Sequence, residues 1–82
     1  MANILIVDDD ARNVYALSHV LEEKGLKILK AFDGKEALNV LKNNPVDLIL
    51  MDIMMPDMSG WKTFDKINKT QSQISVAPYL RK

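Results

Sequence analysis

The sequence predicts an α/β domain built on a parallel sheet, and three observations support this. Runs rich in Ile, Leu and Val recur at residues 3–7, 26–32 and 46–51. Segments with apolar residues at helical spacing follow each run, and an Asp stands directly after the first run and after the third. A short apolar run predicts a buried strand, and strands that alternate with helices predict parallel pairing with right-handed crossovers.

The first helix is predicted over residues 11–24. Asp10 is placed to act as its N-cap, and Gly25 is placed to end it in a left-handed conformation. Four apolar residues at helical spacing are expected to form the buried face. They are Val14, Leu17, Val20 and Leu21.

The second helix is predicted to begin at a capping box, because Asp33 is followed three residues later by Glu36. Pro45 limits its C-terminal end, since the residue before a proline disfavours helical geometry. Its apolar face is expected to contain Ala37, Leu38, Val40 and Leu41.

The last part of the chain is less regular. Residues 60–68 predict a third helix, with Trp61, Phe64 and Ile67 on one face. A polar stretch follows, and residues 74–80 are apolar but interrupted by Pro78. A proline in such a run indicates an edge strand or no strand.

Composition excludes several classes of protein. The 82 residues suit one small domain, and 11 basic residues balance 11 acidic ones, which argues against a nucleic-acid or anionic membrane partner. Without cysteine, neither a disulfide nor a thiolate metal site is available. No apolar stretch reaches the length of a membrane span, and the N-terminus does not resemble a signal peptide. We therefore expect a cytoplasmic location.

The aspartates after the first and third strands predict a functional site. The carboxyl ends of parallel strands meet at one edge of the sheet, so Asp8, Asp9 and Asp52 are expected to converge there if the two strands are neighbours. Clustered carboxylates repel one another, and oxygen ligands favour Mg²⁺, Mn²⁺ or Ca²⁺. The alternative is a set of solvated loop carboxylates.

Residues 4–10, 33–38 and 47–60 together resemble the receiver domain of two-component response regulators. In the third stretch, an apolar strand, an Asp, a short apolar segment, a Pro and a Gly precede a helix, which is the most specific part of the resemblance. The resemblance covers residues 3–68. It implies a flavodoxin-like fold, a five-stranded parallel sheet in which the first and third strands are neighbours.

The resemblance also implies roles for individual residues. Asp52 corresponds to the phosphoryl acceptor, and Asp8 and Asp9 correspond to the acidic pair that holds Mg²⁺. The backbone carbonyl of Met54 would complete the protein ligands to the metal. The implied phosphodonor is a sensor histidine kinase, a phosphotransfer protein or a small acyl phosphate, and the domain is not expected to be an enzyme with turnover.

The chain departs from the family pattern after the third helix. We expect an incomplete flavodoxin-like fold with three βα units in residues 1–68, and a polar loop with an atypical tail in residues 69–82. No Ser or Thr matches the family's residue at the end of strand four, and no Lys matches the one at the end of strand five. Signal output is therefore less well supported than phosphorylation. The alternatives are a dimerisation or kinase-docking module, and an inactive or designed half-domain.

The missing units predict that strand three lies at the edge of the sheet. An exposed apolar edge invites pairing with another chain, so we expect a homodimer, with the sheet continued across strand three or the tail exchanged. The alternative is that the tail folds back as a fourth strand.

Overall fold

The computed structural model describes residues 2–52, 59–70 and 74–79, with the backbone alone at 59–61 and 70. Four strands form one parallel sheet in the order β2-β1-β3-β4, which confirms the predicted flavodoxin-like α/β fold. In chain order the elements are β1 (Asn3–Val7), α1 (Ala11–Glu22), β2 (Lys27–Ala31), α2 (Gly34–Asn43), β3 (Leu48–Asp52), α3 (Ser59–Thr70) and β4 (Ser75–Tyr79).

The tail contributes a strand to this sheet. β4 pairs in parallel with β3 along its whole length, from Leu48 opposite Ser75 to Asp52 opposite Tyr79. The prediction that β3 lies at the edge was therefore wrong, and the alternative of a fourth strand was right. Pro78 does not prevent this pairing, because β4 is itself the edge strand, where a missing backbone donor is tolerated.

Two apolar clusters cover the two faces of the sheet. Every second residue of a strand points to the same face, so Leu5 and Val7 belong to one cluster and Ile4 and Ile6 to the other. The first cluster includes buried residues of α2 and α3, and the second includes α1. The ends of the central strands are thereby held between packed helices.

Local signals set most helix ends as predicted. The carboxylate of Asp10 accepts from the backbone N–H of Arg12 at the start of α1, and Gly25 adopts a φ of 85° after its end. At the start of α2, Asp33 accepts from the N–H of Glu36 at 2.7 Å, while the Glu36 side chain accepts from the N–H of Phe32 at 2.7 Å. This reciprocal arrangement is the expected capping box.

The apolar faces of the helices are largely as predicted. Val14 of α1 is buried and Leu17 and Leu21 pack against its cluster, but Val20 is 53% exposed. Val20 lies at the margin of the helical stripe, beyond the part that the sheet covers. Among the described helices, none has the length and apolar character needed to cross a bilayer.

Candidate functional site

The strand register brings two aspartates level at the carboxyl edge of the sheet. β1 and β3 pair from Ile4 opposite Leu48 to Val7 opposite Met51, so the next residues along the two strands are Asp8 and Asp52. Both aspartates are fully buried, whereas Asp9 is exposed on the turn toward α1. The site therefore has a buried floor made by two neighbouring strands and an open side.

The three predicted carboxylates come together as expected from their positions in the sequence. One oxygen from each of Asp8, Asp9 and Asp52 lies within 4.8 Å of the others. Oxygens that share one octahedral Mg²⁺ at about 2.1 Å lie about 3.0 Å apart, or about 4.2 Å apart if they face each other across the ion, so the three carboxylates would have to move closer together to share one ion. Carboxylate oxygens are also the ligands that a hard divalent cation prefers, and the donor set therefore fits such an ion.

Asp8 is held in place by several hydrogen bonds. Its Oδ1 accepts from the backbone N–H of Asp10 at 2.8 Å, and its Oδ2 accepts from the side-chain amide of Asn13 at 3.1 Å. The hydroxyl of Tyr79 also donates to Oδ2, at 2.6 Å. Such donors fix the orientation of the carboxylate that accepts from them.

A positively charged side chain, that of Arg12, lies near the site. The guanidinium of Arg12 contacts the carboxylate of Asp10 at 3.3 Å and is exposed to solvent. Hydrogen bonding to Asp10, followed by charge attraction between the two groups, raises the pKa of Arg12. The charge of Asp10 is thus partly balanced by its own neighbour.

Sequence reasoning did not identify two of the residues that contact Asp8. Asn13 lies in the first turn of α1, five residues after Asp8, and that spacing could have indicated it. Tyr79 is separated from Asp8 by 71 residues, and its role depends on the pairing of β4 with β3. Met54, predicted to supply a backbone carbonyl, lies outside the described residues, as does the side chain of Trp61.

Comparison with known proteins identifies the family. Residues 4–78 match the family described as response regulator receiver domain. The chain is 35% identical to protein PilH of Pseudomonas aeruginosa over 80 residues, which are 98% of this chain and 65% of PilH. It is 48% identical to transcriptional regulatory protein YvrH of Bacillus subtilis over 74% of this chain and 26% of YvrH. A match of 36% identity also exists to the sensor histidine kinase GacS of Pseudomonas protegens, over 92% of this chain and 8% of GacS.

Solved structures agree with these sequence relationships. Response regulator TrrA of Thermotoga maritima, crystallised with Mg²⁺-BeF, has a TM-score of 0.90 and 32% identity, and the match covers 98% of this chain and 70% of TrrA. A CheY-like receiver domain protein of Methanospirillum hungatei has a TM-score of 0.91 and 30% identity, with 98% and 64% covered.

The chain thus spans just under two thirds of the length of PilH and much less of the other two relatives. The family match nevertheless extends over most of this chain. It includes the aspartate cluster and all of the four-stranded sheet except its two end residues, Asn3 and Tyr79. The chain therefore belongs to the response regulator receiver domain family.

Proposed function

We propose that the chain is a phosphoacceptor of a two-component or phosphorelay pathway, and that Asp52 accepts the phosphoryl group with the help of Mg²⁺. The observation that supports this most strongly is the convergence of Asp8, Asp9 and Asp52 within 4.8 Å at the carboxyl edge of the sheet. A purely structural role does not explain three acidic groups so close together, two of them buried.

The chemistry proposed for Asp52 is a direct displacement at phosphorus. A carboxylate oxygen of Asp52 attacks the phosphorus atom, and the bond to the donor group breaks as the new P–O bond forms. The electron pair of the broken bond leaves with the donor. When bound, Mg²⁺ supplies neutralisation of the charge that gathers on the phosphoryl oxygens.

The other two carboxylates act through the cation. Asp8 and Asp9 would hold the Mg²⁺ together with Asp52, and the backbone carbonyl of Met54 is a further proposed ligand. The fixed orientation of Asp8, given by the donors on both of its oxygens, favours one coordination geometry. Asp9 is exposed, so its side chain can turn toward the ion when the ion enters.

The proposed phosphodonor is a phosphohistidine on a sensor kinase or phosphotransfer protein, or a small acyl phosphate. The match to a segment of GacS, which is named as a sensor histidine kinase, supports a kinase-linked pathway. We expect the domain to supply catalytic groups without turning over as an enzyme. A cytoplasmic location remains a prediction from the sequence.

The proposal is tested by intact mass spectrometry after incubation with MgCl₂ and acetyl phosphate. We expect one phosphoryl adduct in the parent, no adduct in Asp52→Asn, and an adduct in Asp65→Asn, whose parent side chain is exposed on α3. Omission of Mg²⁺ should remove the adduct from the parent. An unmodified parent that circular dichroism shows to be folded would contradict the proposal.

A second candidate function is dimerisation. Leu48 and Leu50 lie on the face that α1 covers and are only partly buried, and the edge strand β4 contains no fully buried residue. Both features favour contact with a second copy, although β3 is no longer available as an edge. Light scattering at high micromolar concentration tests this, and a clean monomer would count against it.

A further inference from the structure

Tyr79 is the residue of β4 that reaches the site. It stands at the end of that strand, directly opposite Asp52 of β3. Its hydroxyl nevertheless contacts Asp8, which follows β1, the strand beyond β3. Two strand spacings are about 9.6 Å, so the phenol side chain must extend past the end of β3 to make this contact.

The contact between Tyr79 and Asp8 has the geometry of a strong hydrogen bond. The O–O distance of 2.6 Å is typical of a hydroxyl that donates to a carboxylate. It is shorter than the 2.8 and 3.1 Å bonds that Asp8 accepts from Asp10 and Asn13. Those two donors come from the segment next to Asp8, whereas Tyr79 comes from the opposite end of the described chain.

We propose that Tyr79 is a positioning residue for the metal centre: its hydroxyl fixes the Asp8 carboxylate in the orientation that receives the divalent cation. The inference rests on the proposed function, because it assumes that Asp8 helps to hold that cation. Partners that hydrogen-bond to metal ligands orient those ligands, and their loss typically lowers metal affinity by about 10–100-fold. The hydroxyl of Tyr79 has this relationship to Asp8.

The proposal also connects the edge strand to the site. If the hydroxyl bond favours cation binding, cation binding must favour the docked position of Tyr79 by the same factor. Occupation of the site would therefore strengthen the attachment of β4 to β3. In this way the end of β4 would respond to the state of a site whose acidic groups come from the end of β3 and from the turn after β1.

The test compares Tyr79→Phe with Tyr15→Phe in MgCl₂ titrations followed by ¹H–¹⁵N NMR. Each variant removes one hydroxyl and retains the ring, and Tyr15 is 59% exposed on α1. We expect the dissociation constant for Mg²⁺ to rise on the order of tenfold in Tyr79→Phe and to be unchanged in Tyr15→Phe. An equal or lower constant in Tyr79→Phe would overturn the proposal, and a lower one would identify the hydroxyl as a competitor of the ion.

Hydrogen exchange gives a second readout that a general loss of stability would not reproduce. In the parent, Mg²⁺ should slow the exchange of the Ala77 amide in β4, and this effect should be much smaller in Tyr79→Phe. A parent that shows no response to Mg²⁺ in either experiment would overturn the proposed metal site itself. If the parent binds Mg²⁺, and Mg²⁺ protects the Ala77 amide equally in the parent and in Tyr79→Phe, only the role of Tyr79 would be overturned.

A third measurement remains available if Tyr79→Phe does not fold. The sequence has two tyrosines, so in Tyr15→Phe a tyrosine ring label reports on Tyr79 alone. We expect its hydroxyl to remain hydrogen-bonded as MgCl₂ is added. A ring signal that moves to the position of free tyrosine would show that the ion displaces the hydroxyl, and would overturn the proposal.

Discussion

Asn3 and Asp47 form a pair of reciprocal hydrogen bonds at the end of the sheet opposite the aspartate cluster. The backbone N–H of Asn3 donates to Oδ2 of Asp47 at 2.8 Å, and the backbone N–H of Asp47 donates to the carbonyl of Asn3 at 2.9 Å. The side-chain amide of Asn3 also donates to the carbonyl of Pro45 at 3.0 Å. These contacts tie the start of β1 to the turn before β3, and so help to set the register that brings Asp8 level with Asp52.

Removal of the Asp47 side chain should destabilise this end of the sheet. We expect Asp47→Ala to lower the free energy of unfolding by about 1 kcal/mol, because the N–H of Asn3 loses its acceptor. Asp47→Asn keeps an oxygen in the same place and should cost less. Urea denaturation followed by circular dichroism measures both losses, and equal losses would show that the charge rather than the hydrogen bond matters.

A matched control is available on α3. Asp65 pairs with Lys69 at 2.9 Å, and both side chains are largely exposed. Exposed pairs of this spacing contribute about 0.3–0.5 kcal/mol, so Asp65→Ala should change stability less than Asp47→Ala does.

The capping box at the start of α2 should contribute measurably to stability. Asp33→Ala removes the acceptor for the N–H of Glu36 and should cost about 1 kcal/mol. Glu36→Gln retains an oxygen that can accept from the N–H of Phe32, and should cost less. Thermal unfolding of the two variants gives this comparison. The reverse order would contradict the view that the hydrogen bonds of the capping box, rather than the charge of Glu36, stabilise the start of α2.

Local features of this fold could be predicted from the sequence, and contacts between distant segments could not. The caps at Asp10 and Asp33 and the left-handed Gly25 depend only on neighbouring residues, and each was predicted correctly. The place of β4 depends on pairing with β3, which no local pattern specifies. Pro78 left two alternatives open in the sequence, an edge strand or no strand, and the structure shows an edge strand.

The site shows the same division between local and distant features. Its three aspartates were predicted because Asp8 and Asp52 each follow an apolar run and Asp9 comes directly after Asp8. The carboxyl ends of strands in a parallel sheet share one edge. Tyr79 was not predicted, because it lies 71 residues from Asp8 and the two residues come into contact only when β4 pairs with β3. The predicted ligand Met54 lies outside the described residues and stays a prediction.

Repulsion within the aspartate cluster should be visible in the stability of the protein without metal. We expect Asp9→Asn to raise the melting temperature in the presence of a chelator, because one of three neighbouring negative charges is removed. In the parent, MgCl₂ should raise the melting temperature, since an ion that binds only the folded state stabilises it. Asp9→Asn should lose most of that gain. Differential scanning calorimetry measures all four conditions, and a full Mg²⁺ response in the variant would exclude Asp9 as a ligand.

Among the three aspartates of the cluster, replacement of Asp8 by alanine should lower the free energy of unfolding most. Truncation in Asp8→Ala leaves the hydroxyl of Tyr79 and the amide of Asn13 without their common acceptor. A fully buried donor without its acceptor costs about 1–3 kcal/mol, and these two donors are partly buried, so we expect a loss of about 1–2 kcal/mol. Asp8→Asn retains one acceptor oxygen and relieves repulsion with Asp52, so it should be the more stable of the two variants. Urea unfolding in the presence of a chelator tests this order. If Asp8→Ala were as stable as the parent, the hydrogen bonds around Asp8 would contribute nothing to the fold, and the link between β4 and the site would have to run through other atoms.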